Sequence, residues 1–147
     1  MRKFWESIYS PNYITGYNPF LLKYMNKAIE KLSYAINNRK KIVVYGTSTV
    51  DGICGISSLS LVLMYLNADV EYLIHDNKEG KKESINCEDI REDIDFLGAD
   101  LLITLGVDLK SKEEVNLCKE LNIDLIVLEN KQTVREREYV YINPRQK

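Results

Sequence analysis

Histidine and cysteine are scarce in this chain, with one His and three Cys in 147 residues. Cys54, Cys87 and Cys118 are widely spaced, odd in number and form no CxxC pair. That pattern argues against a disulfide framework and against a zinc site. The cysteines read as free, mostly buried thiols of a reducing, cytoplasmic protein. Long apolar runs are missing too. The longest, residues 59–66, is broken by Ser60 and falls far short of a bilayer span. The first residues, Met1-Arg2-Lys3-Phe4-Trp5-Glu6, contain no apolar h-region, so no secretory signal is expected. Charge of one sign is nearly absent in the balance. A net charge of -2 gives no global case for nucleic acid, so any such case must rest on local charge. With three Pro and seven Gly there is no linker, repeat or low-complexity tract.

What is present fits one domain over residues 1–147, with 45% hydrophobic residues available for a core. Residues 1–17 form an irregular, aromatic lead-in with Trp5, Tyr9, Tyr13 and Tyr17. These rings pin the segment onto the first helix and the sheet edge, or alternatively stack bases. Asn18-Pro19 reads as an N-cap followed by proline at the first helical position. Apolar residues at three- and four-residue spacing from Leu21 to Ile36 then predict an amphipathic helix over 20–37.

Strand and helix signals alternate from there. Strands are expected over 42–45, 70–74, 101–105, 124–128 and 139–142, and helices over 52–66, 84–97 and 111–121. Residues 75–83 read as a polar, Lys-rich loop. Gly98 suits a helix C-cap, and Ser111 with Glu114 forms a capping box. The runs IVV, LLIT and LIV are continuously apolar, as in strands buried on both faces. Right-handed crossovers make this an α/β fold, an open doubly wound parallel sheet of about five strands in the order 2-1-3-4-5. Helices cover both faces, with one extra helix at the N-terminal side. Such sheets bind ligands outside the carboxyl ends of their strands.

At one such end lies Tyr45-Gly46-Thr47-Ser48-Thr49-Val50-Asp51-Gly52. Its plainer reading is a capped turn, because Ser and Thr are favoured there. The functional reading is a phosphate cradle of Gly46, Thr47, Ser48, Thr49, Asp51 and Gly52 at a helix N-terminus. Its glycine spacing matches neither a dinucleotide fingerprint nor a Walker A loop. Lys78, Lys110 and Lys131 follow strand ends, either as a solvated face or as cations for phosphate. His75 reads as a surface or strand-end residue. Arg135, Glu136 and Arg137 read as charged protection of the last strand's edge.

The same turn resembles motif I of the DHH phosphoesterases, the RecJ-like single-strand exonucleases in particular, where it runs Gly-Asp-x-Asp-x-Asp-Gly. Further stretches are similar in order and spacing: Asn18-Pro19-Phe20-Leu21-Leu22, Leu66-Asn67-Ala68-Asp69-Val70, Leu97-Gly98-Ala99-Asp100-Leu101, Leu121-Asn122-Ile123-Asp124, and Ile142-Asn143-Pro144-Arg145-Gln146. The resemblance implies a scaffold whose strand-end carboxylates and histidines hold two divalent metals about 4 Å apart for phosphodiester hydrolysis.

The motif positions depart from that implication. Thr47 and Thr49 stand for two family Asp residues, and Asp51 keeps the third. Gly106 stands for the Asp of the next motif. Leu128-Glu129-Asn130-Lys131 replaces Thr-Asp-His-His, so Asn130 and Lys131 take the two His places. Asp51, Asp108 and Glu129 are the weak remaining metal candidates. The expectation is a catalytically inactive module with no metal cofactor, binding single-stranded nucleic acid or a DNA replication or repair protein. The alternatives are a divergent exonuclease using Mn or Mg, a nucleotide or phosphate sensor, and a structural subunit or homodimer. No membrane association is expected.

Overall fold

The computed structural model describes residues 18–75, 84–130 and 137–145. The aromatic lead-in, Lys78, Lys131, Arg135 and Glu136 lie outside the described residues. The Asn18 side chain accepts the Phe20 N–H at 3.0 Å and caps a single 3₁₀ turn, Pro19–Leu21. The expected helix over 20–37 therefore starts late. Leu22 is extended and Tyr24 is left-handed, with φ 66°, before helix α1 runs over Met25–Asn37. Strand β1 (Lys41–Thr47), helix α2 (Val50–Tyr65) and strand β2 (Asp69–His75) follow.

The segment predicted as one helix over 84–97 is composite. Ser84–Ile85 is a two-residue strand, β3, and Asn86 then opens a capping box with Asp89. The helical turn α3 (Cys87–Asp89) widens into a π-helical stretch, Ile90–Asp95, which buries both Ile90 and Ile94. Gly98 ends it with φ 73°, a left-handed conformation that glycine adopts without penalty. Strand β4 (Leu101–Leu105), strand β5 (Asp108–Leu109), helix α4 (Lys112–Glu120), strand β6 (Asp124–Leu128) and strand β7 (Val140–Ile142) complete the described chain.

The main sheet has the order β2-β1-β4-β6-β7 and every pairing in it is parallel. Counting its five strands in chain order gives 2-1-3-4-5, as expected. β3 and β5 pair in a separate two-stranded parallel ladder that the sequence reading missed. Period-2 alternation deposits side chains on both faces. Val43, Tyr45, Leu102 and Val127 pack with Ile90, Ile94, Val115 and Cys118 on one side. Ile42, Val44, Ile103 and Ile126 pack with Ala28, Ala35, Ile56 and Leu63 on the other. The sheet is thus covered on both faces, which explains its continuous apolar strands. Among the described residues, no helix is long and apolar enough to cross a membrane.

Helix α4 shows how local sequence sets an element. The Ser111 hydroxyl accepts from Glu113 N, while the Glu114 carboxylate accepts from Ser111 N at 2.6 Å and from its hydroxyl at 2.5 Å. Burial of Glu114 opposes its charged form. Hydrogen bonds from the Ser111 hydroxyl, the Glu114 and Ser111 backbones and the Cys87 thiol outweigh it, so the carboxyl pKa is lowered. A lowered folded-state pKa contributes stability that is present above the unfolded value and lost as pH falls through the folded one. Ser111→Ala is expected to destabilise the protein by about 1 kcal/mol at pH 7. That deficit should shrink in urea titrations as the pH falls through the lowered folded-state pKa and Glu114 becomes protonated in the parent as well.

The thiols do not all follow the expected burial. Cys118 is buried and its pKa is pushed up to about 12, chiefly by desolvation. Cys54, by contrast, is exposed on α2. His75 sits at the end of β2 as expected, yet it is buried rather than superficial, with its Nδ1 2.7 Å from the Tyr45 hydroxyl.

Candidate functional site: the groove at the strand ends

The chain leaves β1 toward β2 on one side and returns to β4 on the other, so the carboxyl ends of β1 and β4 diverge. A groove of about 550 Å³ opens there, lined by residues of the β1, β4 and β6 ends, the first turns of α2, and Leu22. Thr47, Thr49, Asp51, Gly52, Gly106, Glu129 and Asn130 all line it. The fold therefore brings most of the degenerate motif positions together, Lys131 lying outside the described residues.

Backbone geometry explains the turn. Thr49 is extended, with φ -73° and ψ 160°, and its hydroxyl accepts the Gly52 N–H at 3.2 Å. The Thr47 and Thr49 hydroxyls lie 2.7 Å apart and share a hydrogen bond. Both are thereby engaged in capping and turn closure, which favours the plainer reading of these residues. Gly52 is buried against the chain it follows: a Cβ there would lie 2.2 Å from the Thr47 carbonyl oxygen. Gly106 takes φ 71° and donates its N–H to Leu128 O at 2.8 Å, tying β4's exit to β6.

Other candidates belong elsewhere. Gly46 lies inside β1, where a Cβ would meet Ile56 Cδ1 at 2.8 Å. Its smallness seats α2 on the sheet rather than admitting an anion. Ser48 is exposed in the turn and does not line the groove. Asp108 is in β5, where it accepts from Leu109 N at 2.8 Å, from the Tyr139 hydroxyl at 2.7 Å and from Arg137 at 2.5 Å. It is a structural acceptor outside the groove. Arg137 is exposed, as expected, and is also the ion-pair partner of Asp108. Lys110 lines a different cleft, beside α4. The sequence reading missed the apolar lining of Leu22, Leu105, Leu128, Ile142 and Pro144. Strand ends alone would have flagged three of these.

Among the described residues, two carboxylates reach the groove, Asp51 and Glu129. Glu129 is buried and its Oε1 accepts the Asn130 N–H at 3.0 Å. No Lys or Arg lines the groove among the described residues; Arg145 touches its rim through Asn130 at 3.1 Å. No cluster of three or more His, Cys, Asp or Glu side chains suited to a metal occurs among the described residues.

The model of the DHH family, N-terminal domain, matches residues 41–147. The chain belongs to the DHH family. It is 31% identical over 115 residues to the single-stranded-DNA-specific exonuclease RecJ of Bacillus subtilis (strain 168). That match takes in 78% of this chain but only 14% of the relative, so the chain spans a small part of the protein it resembles. Two solved structures share the fold. One is RecJ in complex with Mn2+ from Thermus thermophilus, with a TM-score of 0.71 at 23% identity over 89% of this chain and 18% of that one. The other is exonuclease RecJ bound to manganese, with a TM-score of 0.72 at 25% identity over 84% of this chain and 31% of that one.

These structures make manganese the metal to test against the DHH groove. The described residues do not fit a two-metal site. A pair of cations about 4 Å apart needs oxygen and imidazole ligands on both. Here two carboxylates converge, the threonine hydroxyls are bound to each other, and Asp108 points to a separate network.

Proposed function

We propose that this chain is a catalytically inactive RecJ-like DHH domain that holds single-stranded nucleic acid without cleaving it. The observation that carries the proposal is the donor set of the groove, where Asp51 and Glu129 are the only two carboxylates among the described lining residues. Strand binding is supported by kinship with an exonuclease named as specific for single-stranded DNA. Manganese titration by calorimetry, followed by 5′-labelled single-stranded DNA in the same sample, tests the first half. Neither saturable metal binding up to low millimolar levels nor degradation of the strand is expected. Saturable binding with degradation, abolished by Asp51→Ala, would establish the divergent exonuclease instead.

A second reading, a module that docks a replication or repair protein, is favoured by α2. Val50, Leu61 and Tyr65 on that helix are 77%, 67% and 85% exposed, which is unusual for side chains of this kind.

A further inference from the structure

A set of cations among the described residues lines another face. β7 is three residues long and pairs only with Ile126, Val127 and Leu128, so Asp124 and Leu125 at the start of β6 lie beyond its entry. A cleft of about 340 Å³ opens at that step. Helices α1 and α4, from opposite faces of the sheet, both reach it, through Lys27 and Lys31 and through Lys119. A second cleft of about 300 Å³ carries Lys110 and Lys112. The two share Val115, Arg137, Glu138 and Tyr139, and so form one continuous groove.

Among the described residues, six cationic side chains line this groove against the carboxylates of Asp124 and Glu138. This is a local excess of positive charge on a chain whose net charge is -2. Lys31 pairs with Asp124, Lys119 with Glu138, and Arg137 with Asp108. Lys27, Lys110 and Lys112 form no salt bridge among the described residues.

Two aromatic rings complete the lining. Tyr24 is held in a left-handed backbone, with the Lys23 and Lys27 ammonium groups 5.3 and 5.5 Å from its ring centre. Tyr139 carries the Arg137 guanidinium over its ring at 6.0 Å. Cations interleaved with rings along a groove are what a phosphodiester strand requires, because the charges track the backbone and the rings meet the bases. Among the described residues, the strand-end groove has two carboxylates and no lining cation, the opposite field.

We infer that single-stranded nucleic acid runs along α4 and across the entry to β7, away from the degenerate motif positions. This inference rests on the strand-binding reading above and specifies its surface. The test is fluorescence anisotropy of a labelled 15-nucleotide deoxythymidine strand with the whole chain at several salt concentrations.

The triple variant Lys27→Glu, Lys110→Glu, Lys112→Glu breaks no salt bridge. It should lose at least tenfold in affinity, and its log–log salt slope should fall by about 2, at about 0.7 per lost phosphate contact. The Lys→Gln triple should show a smaller loss in the same direction, and it serves if circular dichroism shows the charge reversal unfolded. A control at two cations that line neither groove, Arg39→Glu, Arg91→Glu, should bind within a few-fold of the parent. Parental binding in both lysine variants, or a larger loss in the arginine control, would overturn the groove while leaving strand binding intact. Absence of binding by the parent chain at 50 mM salt would overturn strand binding itself and the groove with it.

Discussion

Gly52→Ala is expected to destabilise the protein by about 3 kcal/mol or more, near the upper end for overpacking a well-filled site. The new Cβ would sit 2.2 Å from the Thr47 carbonyl oxygen and 2.3 Å from the Thr47 hydroxyl. Neither atom can swing away. The carbonyl belongs to β1, and the hydroxyl is bound to Thr49, which caps α2. Relief requires α2 to withdraw from the sheet, and that would disturb the Ile56 contact at Gly46 as well. Gly55→Ala, one turn along the same helix, provides the internal comparison. Its nearest neighbour would be Leu105 Cδ1 at 3.4 Å, an ordinary contact, so alanine should gain up to about 1 kcal/mol from helix propensity. Urea midpoints of the two variants should move in opposite directions. A Gly52→Ala midpoint equal to the parent's would show that the turn tolerates a side chain.

Leu63→Ala should cost about 3 kcal/mol, within the range for opening a cavity in a core. Leu63 is fully buried between α2 and the face of the sheet that carries Ile42, Val44 and Ile103. Leu61, two residues earlier, is 67% exposed. Leu61→Ala should therefore change stability by no more than about 0.5 kcal/mol. The pair is a direct test of helix rotation, because α2 is apolar almost all round. Equal losses at the two positions would mean that the exposed face is covered in solution.

That ambiguity of α2 shows where the sequence was informative and where it was not. β4 and β6 were legible to the residue, because the runs LLIT and LIV continue to Leu105 and Leu128 and are followed by Gly106 and Glu129. The strand order followed from crossovers that must be right-handed. The late start of α1 was hidden, because Leu21 and Leu22 fit a helical period although Tyr24 reverses the backbone. β3 and β5 are two residues each, too short to show any period. The π-helical stretch kept its apolar residues four apart and so looked like an ordinary helix.

At the site, motif spacing placed Thr47, Asp51, Gly106 and Glu129 in one groove. It also suggested Asp108 and Lys110 for that groove, which β5 carries away toward Arg137 and α4. The cationic groove was invisible along the chain because it is assembled from α1, α4 and the approach to β7. Proximity of that kind comes from sheet order and helix placement, neither of which a local window contains.

The all-parallel sheet also implies an order of assembly. No pair in it can zip up from a tight turn, since parallel neighbours need a crossover of about a dozen residues or more. Closing a longer loop costs more entropy, by about 0.6 kcal/mol per doubling. Val140 has only to find Ile126, Asp124 to find Leu101, and Asp69 to find Lys41. Ile42, however, must meet Leu101 across the whole of α2, β2 and the π-helical segment. Loop closure therefore favours two half-sheets forming first, and the expected last step is their docking along the seam between β1 and β4. The strand-end groove straddles that seam, so in this order it takes shape last. The cationic groove lies within the later half of the chain, apart from α1's contribution, so in this order most of its lining forms before the halves meet.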